Sequence, residues 1–180
     1  MTTSVTQEQN LLFQSYFTVS LLAELKNNNL LGSAYYEGMT FGAPWIKDEL
    51  RNIGVDNQGC AMMTLYAMLV LPREIIQRAY ASDYDNINTF LQAHTQSTTT
   101  TYRSDSPSVN HLRHIRNAVA HARVEFRPND VIIFRDANPR ANETFSTELP
   151  LRHLGELIHR LQMVHIAYIQ DLQQQKGQST

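Results

Sequence analysis

The six residues Arg116-Asn117-Ala118-Val119-Ala120-His121 decide how the fold of this chain is interpreted. The arginine and the histidine lie a little more than one helical turn apart, and a small polar amide follows the arginine. On a helix, this segment combines a permanent cation, a side chain that titrates near neutral pH and a hydrogen-bonding amide. These are the groups that cleavage of a phosphodiester without a metal ion requires.

The spacing alone is weak evidence, because two other pairs in the chain resemble it. Arg160 and His165 have the same spacing, and Arg152 and His159 are separated by two residues more. The motif at 116–121 differs in its context. Its intervening residues are small, an asparagine follows the arginine, and the histidine falls where a helix is expected to end.

Length and composition indicate one domain with a core between about residues 7 and 174 of the 180 residues. Cys60 is the only cysteine, which excludes an internal disulfide and a cysteine-rich zinc site, and we expect it to be buried. The apolar run at 60–71 is shorter than the roughly 20 residues that span a bilayer. The N-terminus lacks the basic segment of a signal peptide. These features predict a soluble, cytoplasmic protein that makes no membrane contact.

Charge is distributed unevenly along the chain. The net charge of −2 disfavours a protein that coats nucleic acid non-specifically. Between positions 103 and 127, however, five arginines face only two acidic residues, Asp105 and Glu125. Three histidines in the same stretch can add positive charge. The basic character is therefore concentrated around the motif, which favours an anionic substrate bound there.

Hydrophobic periodicity and capping residues predict a mainly α-helical fold. Thr6 and Gln9 form a capping box before the first helix. Ser106 and Pro107 are a suitable N-cap and first residue for the motif helix. The predicted helices cover residues 7–31, 44–53, 58–81 with a kink or break at Pro72, 82–94, 107–122 and 150–174.

Short β-prone runs interrupt the helical pattern just before the last helix. Residues 123–126 and 131–134 flank a turn and predict a small β-hairpin, and residues 144–149 add a third strand. The segment 96–106 is rich in serine and threonine and is predicted to be an exposed, mobile loop.

The motif helix separates into two faces at about 100° per residue. The face expected to pack inward comprises Leu112, Ile115, Val119 and Ala122. The opposite face, expected to be solvated, comprises Asn110, Arg113, His114, Asn117 and His121. Arg116 lies at the border, where its stem can pack while its charged end reaches the polar side. No carboxylate of this helix compensates the cations on the polar face.

The motif and its surroundings resemble the HEPN superfamily (higher eukaryotes and prokaryotes nucleotide-binding domains). Its hallmark is Arg-x4–6-His at the end of a long helix, commonly with Asn, Asp or His directly after the arginine. Arg116, Asn117 and His121 fit that form, and the hairpin and final helix also resemble those of bacterial members. The predicted short helices at 44–53 and 82–94 lie outside a minimal HEPN pattern, which leaves the subfamily open.

The resemblance implies a helical bundle that dimerises and forms one composite, metal-independent ribonuclease site from two motif helices. Arg116 and His121 would be catalytic, Asn117 would be the supporting polar residue, and no cofactor would be needed. RNA contacts are expected from Arg113, His114 and Arg123. A toxin restrained by an antitoxin, or an antiviral defence effector, is the biological setting that the resemblance suggests.

Three alternatives remain open from the sequence. His111 and His114 are spaced for a shared metal ion, although no carboxylate on their face completes a ligand set. A HEPN module could also bind nucleotide or RNA, or mediate dimerisation, without catalysis. An unrelated helical interaction protein with a fortuitous motif is the third alternative. Binding of ATP or nucleic acid without turnover would favour the second.

Overall fold

The computed structural model describes residues 6–72 and 75–177. Within these ranges the chain is mainly α-helical and carries a small antiparallel sheet, which confirms the predicted fold class. Its α-helices are α1 (Gln7–Asn27), α2 (Ala34–Gly38), α3 (Pro44–Ile53), α4 (Gln58–Leu65), α5 (Ala81–His94), α6 (His111–Ala120) and α7 (Leu154–Gly177). Short 3₁₀ turns cover Leu30–Gly32, Arg103–Asp105 and Leu151–His153.

The sheet contains four strands in the order β1-β4-β3-β2. These are β1 (Gln96–Thr100), β2 (Val124–Arg127), β3 (Val131–Asn138) and β4 (Glu143–Pro150). All neighbouring strands are antiparallel. The predicted hairpin and third strand are therefore present, but they belong to a larger sheet whose first strand precedes the motif helix.

Local capping signals explain both ends of several helices. The hydroxyl of Thr6 accepts a hydrogen bond from the backbone of Gln9, and the Gln9 side chain accepts one from the backbone of Thr6, which confirms the capping box. Pro44 begins α3, and Gly54 ends it with a φ of 77°, a conformation that a residue with a Cβ adopts only at a cost.

The long helix predicted for 58–81 is interrupted. Helix α4 passes into a π-helical turn at Tyr66–Val70, and turns follow before α5 begins at Ala81. Positions 73 and 74 of the predicted helix lie outside the described residues. The predicted break near Pro72 agrees with this interruption, because proline cannot donate the backbone hydrogen bond that a continuous helix needs.

The prediction of a mobile loop at 96–106 is wrong for residues 96–100, whereas residues 96–99 are exposed as expected. Residues 96–100 form β1, which pairs with β4 and brings Thr100 opposite Phe145. The hydroxyls of Thr98 and Thr147 are 2.6 Å apart across the two strands. Threonine is β-branched and favours a strand, and this pairing satisfies the backbone groups that a loop would leave to water.

Helix α6 lies between the sheet and the other helices. It packs against β3 on one side and against α4, α5 and the π-helical turn on the other. One hydrophobic core includes Ile115 and Val119 of α6 together with Phe134 of β3 and Leu161 of α7. Six of the ten residues of α6 are buried, and the remaining four form the strip of the motif helix that reaches solvent.

Candidate functional site

The motif helix begins at His111, later than the sequence predicts. The side-chain oxygen of Asn110 caps it by accepting a hydrogen bond of 2.9 Å from the backbone nitrogen of Arg113. Ser106 and Pro107 are joined by a cis peptide bond and precede the helix, so their predicted roles as N-cap and first helical residue are wrong.

The motif helix ends as the sequence predicts, with His121 as its C-cap residue. The backbone nitrogen of Ala122 donates to the carbonyl of Val119, and that of Arg123 donates to the carbonyl of Ala118 at 2.8 Å. This pair of bonds is a Schellman motif, in which the residue after the cap takes the left-handed conformation. Ala122 does so with a φ of 52° and is exposed, so its predicted place in the core is wrong.

Burial around the helix corrects the predicted polar face. Leu112, Ile115 and Val119 are buried as expected. His114, however, has 0% of its surface exposed and does not belong to the solvated face. It therefore cannot contact RNA directly in this conformation, which contradicts its predicted role. The solvent-accessible strip consists of Arg113, Arg116, Asn117 and Ala120, with His121 at its end.

Arg116 and Asn117 are in direct contact. A guanidinium nitrogen of Arg116, Nη2, donates to Asn117 Oδ1 at 3.1 Å. The stem of Arg116 lines a narrow crevice with Leu69, Tyr84 and Leu112, as expected for a residue at the border of the two faces. Burial raises the pKa of the Tyr84 hydroxyl to about 12, against the opposing effect of the Arg116 charge. Arg116, which the motif predicts to be catalytic, is therefore half-buried beside these three residues.

Asn117 also contacts a strand of the sheet. Its Nδ2 donates to Oδ2 of Asp136, in β3, at 2.9 Å. The backbone carbonyl of Asn117 accepts from the backbone nitrogen of His121 at 3.1 Å. The structure thus joins Asn117 to Arg116 through its side chain, while His121 follows one helical turn later at the exposed C-cap.

Two buried carboxylates enclose His114. Its Nδ1 lies 2.7 Å from Asp136 Oδ2, and its Nε2 lies 3.0 Å from Asp105 Oδ2. Nε2 is also 2.9 Å from Nη2 of Arg113, so it accepts from the guanidinium when neutral and donates to Asp105 when protonated. In both states Nδ1 donates to Asp136. Because Asp136 also binds Asn117, this buried network connects β3 and the Arg103–Asp105 turn to the motif.

Aromatic rings fix the plane of the His114 imidazole. Phe145 of β4 stacks on it with ring centroids 4.2 Å apart and an angle of 13° between the planes. Tyr102 covers it from another direction at a centroid distance of 4.5 Å. The imidazole is held by rings as well as by carboxylates, and its orientation is consequently well defined.

Both carboxyl groups of the network favour the ionised state. Burial acts to raise the pKa of Asp105, but hydrogen bonds from Thr100 and His114 and the charge of Arg113 hold that pKa below its ordinary value. Burial likewise acts to raise the pKa of Asp136, and hydrogen bonds from Asn117 and His114 lower it below the ordinary value. The network is therefore a set of buried charges stabilised by hydrogen bonds rather than a set of neutral groups.

The predicted RNA-binding arginines have different environments. Arg113 donates to Asp105 Oδ1 at 2.8 Å and lies over the ring of Tyr102, yet 30% of its side chain is exposed. Arg123 is exposed and donates to the carbonyl of Ala137 at 3.3 Å. The cationic face is thus partly compensated by a carboxylate from another element, which the helix sequence alone did not indicate. A role of either arginine in RNA binding stays a prediction.

The second pair with the same spacing is built differently. Arg160 lies 2.8 Å from Glu156, one turn earlier in α7, and its guanidinium covers the ring of Phe90. His165 is 1% exposed and stacks on Tyr16. Both side chains serve packing within the bundle, which agrees with the interpretation of this spacing as fortuitous.

Asp105, Asp136 and Tyr102 are the site residues that sequence reasoning missed. A signal for Asp136 existed, because it follows Ile132 and Phe134 at alternate positions and therefore points to the buried face of its strand. No comparable signal marks Asp105. In the described part of the chain, no group of three or more His, Cys, Asp or Glu side chains is arranged to hold a metal ion.

Fold and site together define a class of protein. It is a helical domain whose motif helix ends in Arg-x4-His, with an asparagine after the arginine that is hydrogen-bonded to it. A family model described as HEPN pEK499 p136 matches residues 1–172, and the chain belongs to this HEPN family. The predicted HEPN resemblance is thereby confirmed. No curated protein and no solved structure matches the chain.

Membership of the HEPN family indicates the function of the chain in general terms. HEPN domains are often ribonucleases, and the family indicates a nuclease or a nucleotide-binding module. Across residues 6–72 and 75–177, the structure contains no helix that combines the length and apolarity needed to cross a membrane.

Proposed function

We propose that the chain is a metal-independent endoribonuclease with Arg116 and His121 as catalytic residues and Asn117 as their supporting residue. The observation that carries this proposal is the Arg116–Asn117 hydrogen bond of 3.1 Å on the exposed strip of a helix that ends at His121. This arrangement offers a half-buried, hydrogen-bonded cation a little more than one helical turn before a solvent-exposed imidazole, on the strip that would face a phosphodiester.

The reaction begins with attack of the ribose 2′-oxygen on the adjacent phosphorus. A base removes the 2′-hydroxyl proton, the bond between phosphorus and the 5′-oxygen breaks, and an acid supplies a proton to that oxygen. His121 is suited to proton transfer because imidazole titrates near neutral pH. Arg116 presents several donors to the phosphate oxygens and stabilises the added negative charge. The products carry 2′,3′-cyclic phosphate and 5′-hydroxyl ends.

A single motif is incomplete for this chemistry, because one histidine cannot act as base and acid at the same time. A homodimer that places two motif helices side by side supplies a second His121 and a second Arg116. Ala120, small and exposed between the polar residues of the strip, allows a second backbone to approach. We therefore propose a composite site at a two-fold interface.

RNA is held near the site by arginines rather than by His114. Arg123 is exposed directly after the motif, and Arg113 keeps part of its guanidinium accessible. Both can contact phosphates upstream or downstream of the cleaved bond. His114, which was expected to join them, is buried and is not included among the RNA contacts.

An active ribonuclease inside a cell requires restraint. We propose a toxin–antitoxin or phage-defence setting, in which a second protein or a trigger controls access to the site. The support for this proposed setting is membership of the HEPN family. The partner would have to cover or distort the exposed strip of α6.

The test is cleavage of end-labelled RNA in EDTA by the wild type and by His121→Ala. Loss of a proton-transfer residue is expected to lower the rate by about 10²–10⁴. Since His121 is exposed, the variant should keep the thermal stability of the wild type to within about 0.5 kcal/mol. His159→Ala is the matched control, because His159 is another exposed histidine with an arginine seven residues before it.

Cleavage by the wild type and by His159→Ala but not by His121→Ala, with cyclic phosphate ends, would support the proposal. Activity per chain should also fall on dilution in parallel with dissociation of the dimer in sedimentation experiments. A requirement for divalent ions, equal cleavage of DNA, or an active His121→Ala variant would refute it. RNA or ATP binding without cleavage by any of the three proteins would instead identify a non-catalytic module.

A further inference from the structure

The orientation of the Asn117 side-chain amide is determined by its two partners. Its Nδ2 donates to Asp136 at 2.9 Å, and its Oδ1 accepts from Arg116 at 3.1 Å. Rotating the amide by half a turn would place its oxygen against the carboxylate and its NH₂ group against the guanidinium. Both contacts would then join groups of the same hydrogen-bonding character, so only one orientation is compatible with the structure.

Asp136 is itself held firmly. It is 4% exposed, accepts from His114 Nδ1 at 2.7 Å, and receives a further hydrogen bond from the hydroxyl of Tyr102. Its position in β3, where it pairs with Phe145 of β4, limits backbone movement. A buried, multiply bonded carboxylate is a fixed reference point for the more exposed amide that it binds.

We propose that Asp136 is a positioning residue that acts through Asn117 to orient the Arg116 guanidinium toward the substrate phosphate. The inference rests on the proposed function in assigning Arg116 to that phosphate. Without the carboxylate, the amide of Asn117 is released to rotate, its NH₂ group can face the guanidinium, and the bond that aims Arg116 is lost. Asp136 does not touch the substrate.

The proposal makes position 117 sensitive to charge in this chain. Asparagine and aspartate have the same shape, and the HEPN hallmark accepts either after the arginine. Here, aspartate at 117 would bring a second carboxylate to within about 3 Å of Asp136, and the repulsion between them could be relieved only by separating the two groups or by binding a proton. The two residue types are therefore not equivalent in this chain, because of the strand that lies behind the helix.

A reciprocal exchange tests the inference. Asn117→Asp reverses the polarity of one partner, Asp136→Asn reverses that of the other, and the double variant restores a complementary pair. Because His114 Nδ1 and Asn117 Nδ2 both contact Oδ2 of Asp136, the new amide at 136 places its NH₂ group at that position. There it donates to the new carboxylate at 117 and to Nδ1 of His114, whose own proton then lies on Nε2 and is donated to Asp105. The carboxylate at 117 still accepts from Arg116, so the complete chain of hydrogen bonds is present again.

We expect each single variant to lose about 10- to 100-fold in kcat for RNA cleavage, the effect of one hydrogen bond to a charged group. KM should change much less, because the oriented guanidinium acts mainly on charge that develops during the reaction. The double variant should recover at least 5-fold over Asn117→Asp. A variant that merely weakened the fold would show no such rescue.

A measurement independent of activity uses the side-chain NH₂ resonances of Asn117 in ¹⁵N NMR spectra. These resonances should shift in Asp136→Asn, and the NH₂ hydrogens should exchange with solvent faster than in the wild type. If Asp136→Asn does not fold, Asn117→Ala replaces it, since alanine removes the aiming bond without introducing charge. Unchanged kcat in Asn117→Ala, unchanged NH₂ resonances, or a double variant no better than Asn117→Asp would each overturn the positioning role. A wild type that fails to cleave RNA would refute the proposed function, while the NMR comparison would still decide the position of the amide.

Discussion

Replacing His114 with leucine should destabilise the protein by about 1.5–3 kcal/mol at pH 7, the cost typical of losing a hydrogen bond to a charged group. His114 is fully buried, and its Nδ1–H donates to Asp136 at 2.7 Å. Leucine fills a similar volume but leaves that carboxylate without its shortest hydrogen bond. Asp105 also loses a neighbour, although Arg113 and Thr100 still donate to it and moderate the loss.

The matched control is the same substitution at His165. This imidazole is equally buried, but its Nδ1 donates only to the carbonyl of Leu161 and its Nε2 has no hydrogen-bond partner. Removing a neutral hydrogen bond of this kind costs about 0.5–1.5 kcal/mol, and the added apolar contact offsets part of it. The comparison therefore separates loss of a histidine from loss of the charge network.

Urea unfolding at several pH values provides the assay. In the wild type, the pKa values of Asp105 and Asp136 are lowered, so their contribution to stability is present above their ordinary pKa and is lost as pH falls through the lowered values. In His114→Leu, burial without the imidazole favours protonated carboxyls, which gain stability on acidification. The difference in the free energy of unfolding between the wild type and His114→Leu should thus shrink from pH 7 to about pH 4. A difference at pH 7 no larger than that of His165→Leu, or one that grows in acid, would refute the reasoning.

Two further predictions concern other local features. Burial lowers the pKa of His165, so its neutral form stabilises the fold fully above the ordinary value of 6.5 and less as pH falls below it. The free energy of unfolding of His165→Leu, measured in urea, should therefore decline less between pH 7 and about pH 5 than that of the wild type. An equal or steeper decline would contradict this explanation. Ala122 has a φ of 52°, so Ala122→Gly should raise the free energy of unfolding by about 0.5–1 kcal/mol. Ala120→Gly, inside the helix, should lower it by about 1 kcal/mol, and a change of the same sign in both variants would contradict the assigned strain.

Local chemistry made much of the helical framework predictable. Thr6 and Gln9 cap α1 through their own side chains, and Pro44 and Gly54 begin and end α3 through their backbone preferences. Spacing alone predicted the inward positions of Leu112, Ile115 and Val119 on α6, but not that of His114. The end of that helix was also predictable, because the Schellman bonds at its C-terminus involve residues within a single turn.

The start of the motif helix was not predictable in this way. Ser106 and Pro107 match the local preferences for an N-cap and first residue, but such a cap contributes only about 1 kcal/mol. The preceding Asp105 is instead buried against His114 and Arg113. Several charged hydrogen bonds formed with other elements outweigh one local cap, and the helix begins instead after Asn110, whose side chain caps it.

The sheet was underestimated for a related reason. Strand β1 pairs with β4, which lies more than 40 residues later at the Thr100 and Phe145 pair. A run of threonines fits an exposed loop and an edge strand equally well when its partner is unknown. The alternation of Ile132, Phe134 and Asp136 was visible in the sequence. Its meaning became clear only from the structure, where the buried imidazole of His114 on α6 pairs with Asp136.

The absence of carboxylates from the helix was a correct observation, but it did not describe the carboxylates that other elements bring to the helix. No acidic residue of α6 compensates its cations, but Asp105 and Asp136 approach from a turn and from a strand and bind Arg113 and His114. The basic surface is consequently narrower than the sequence suggests. The same carboxylates connect the folded core to the one amide that binds Arg116, so the residues that reduce the general attraction for anions also determine the geometry of the proposed site. In this chain, the sheet beneath the motif helix supplies that geometry, and the helix sequence alone could not show it.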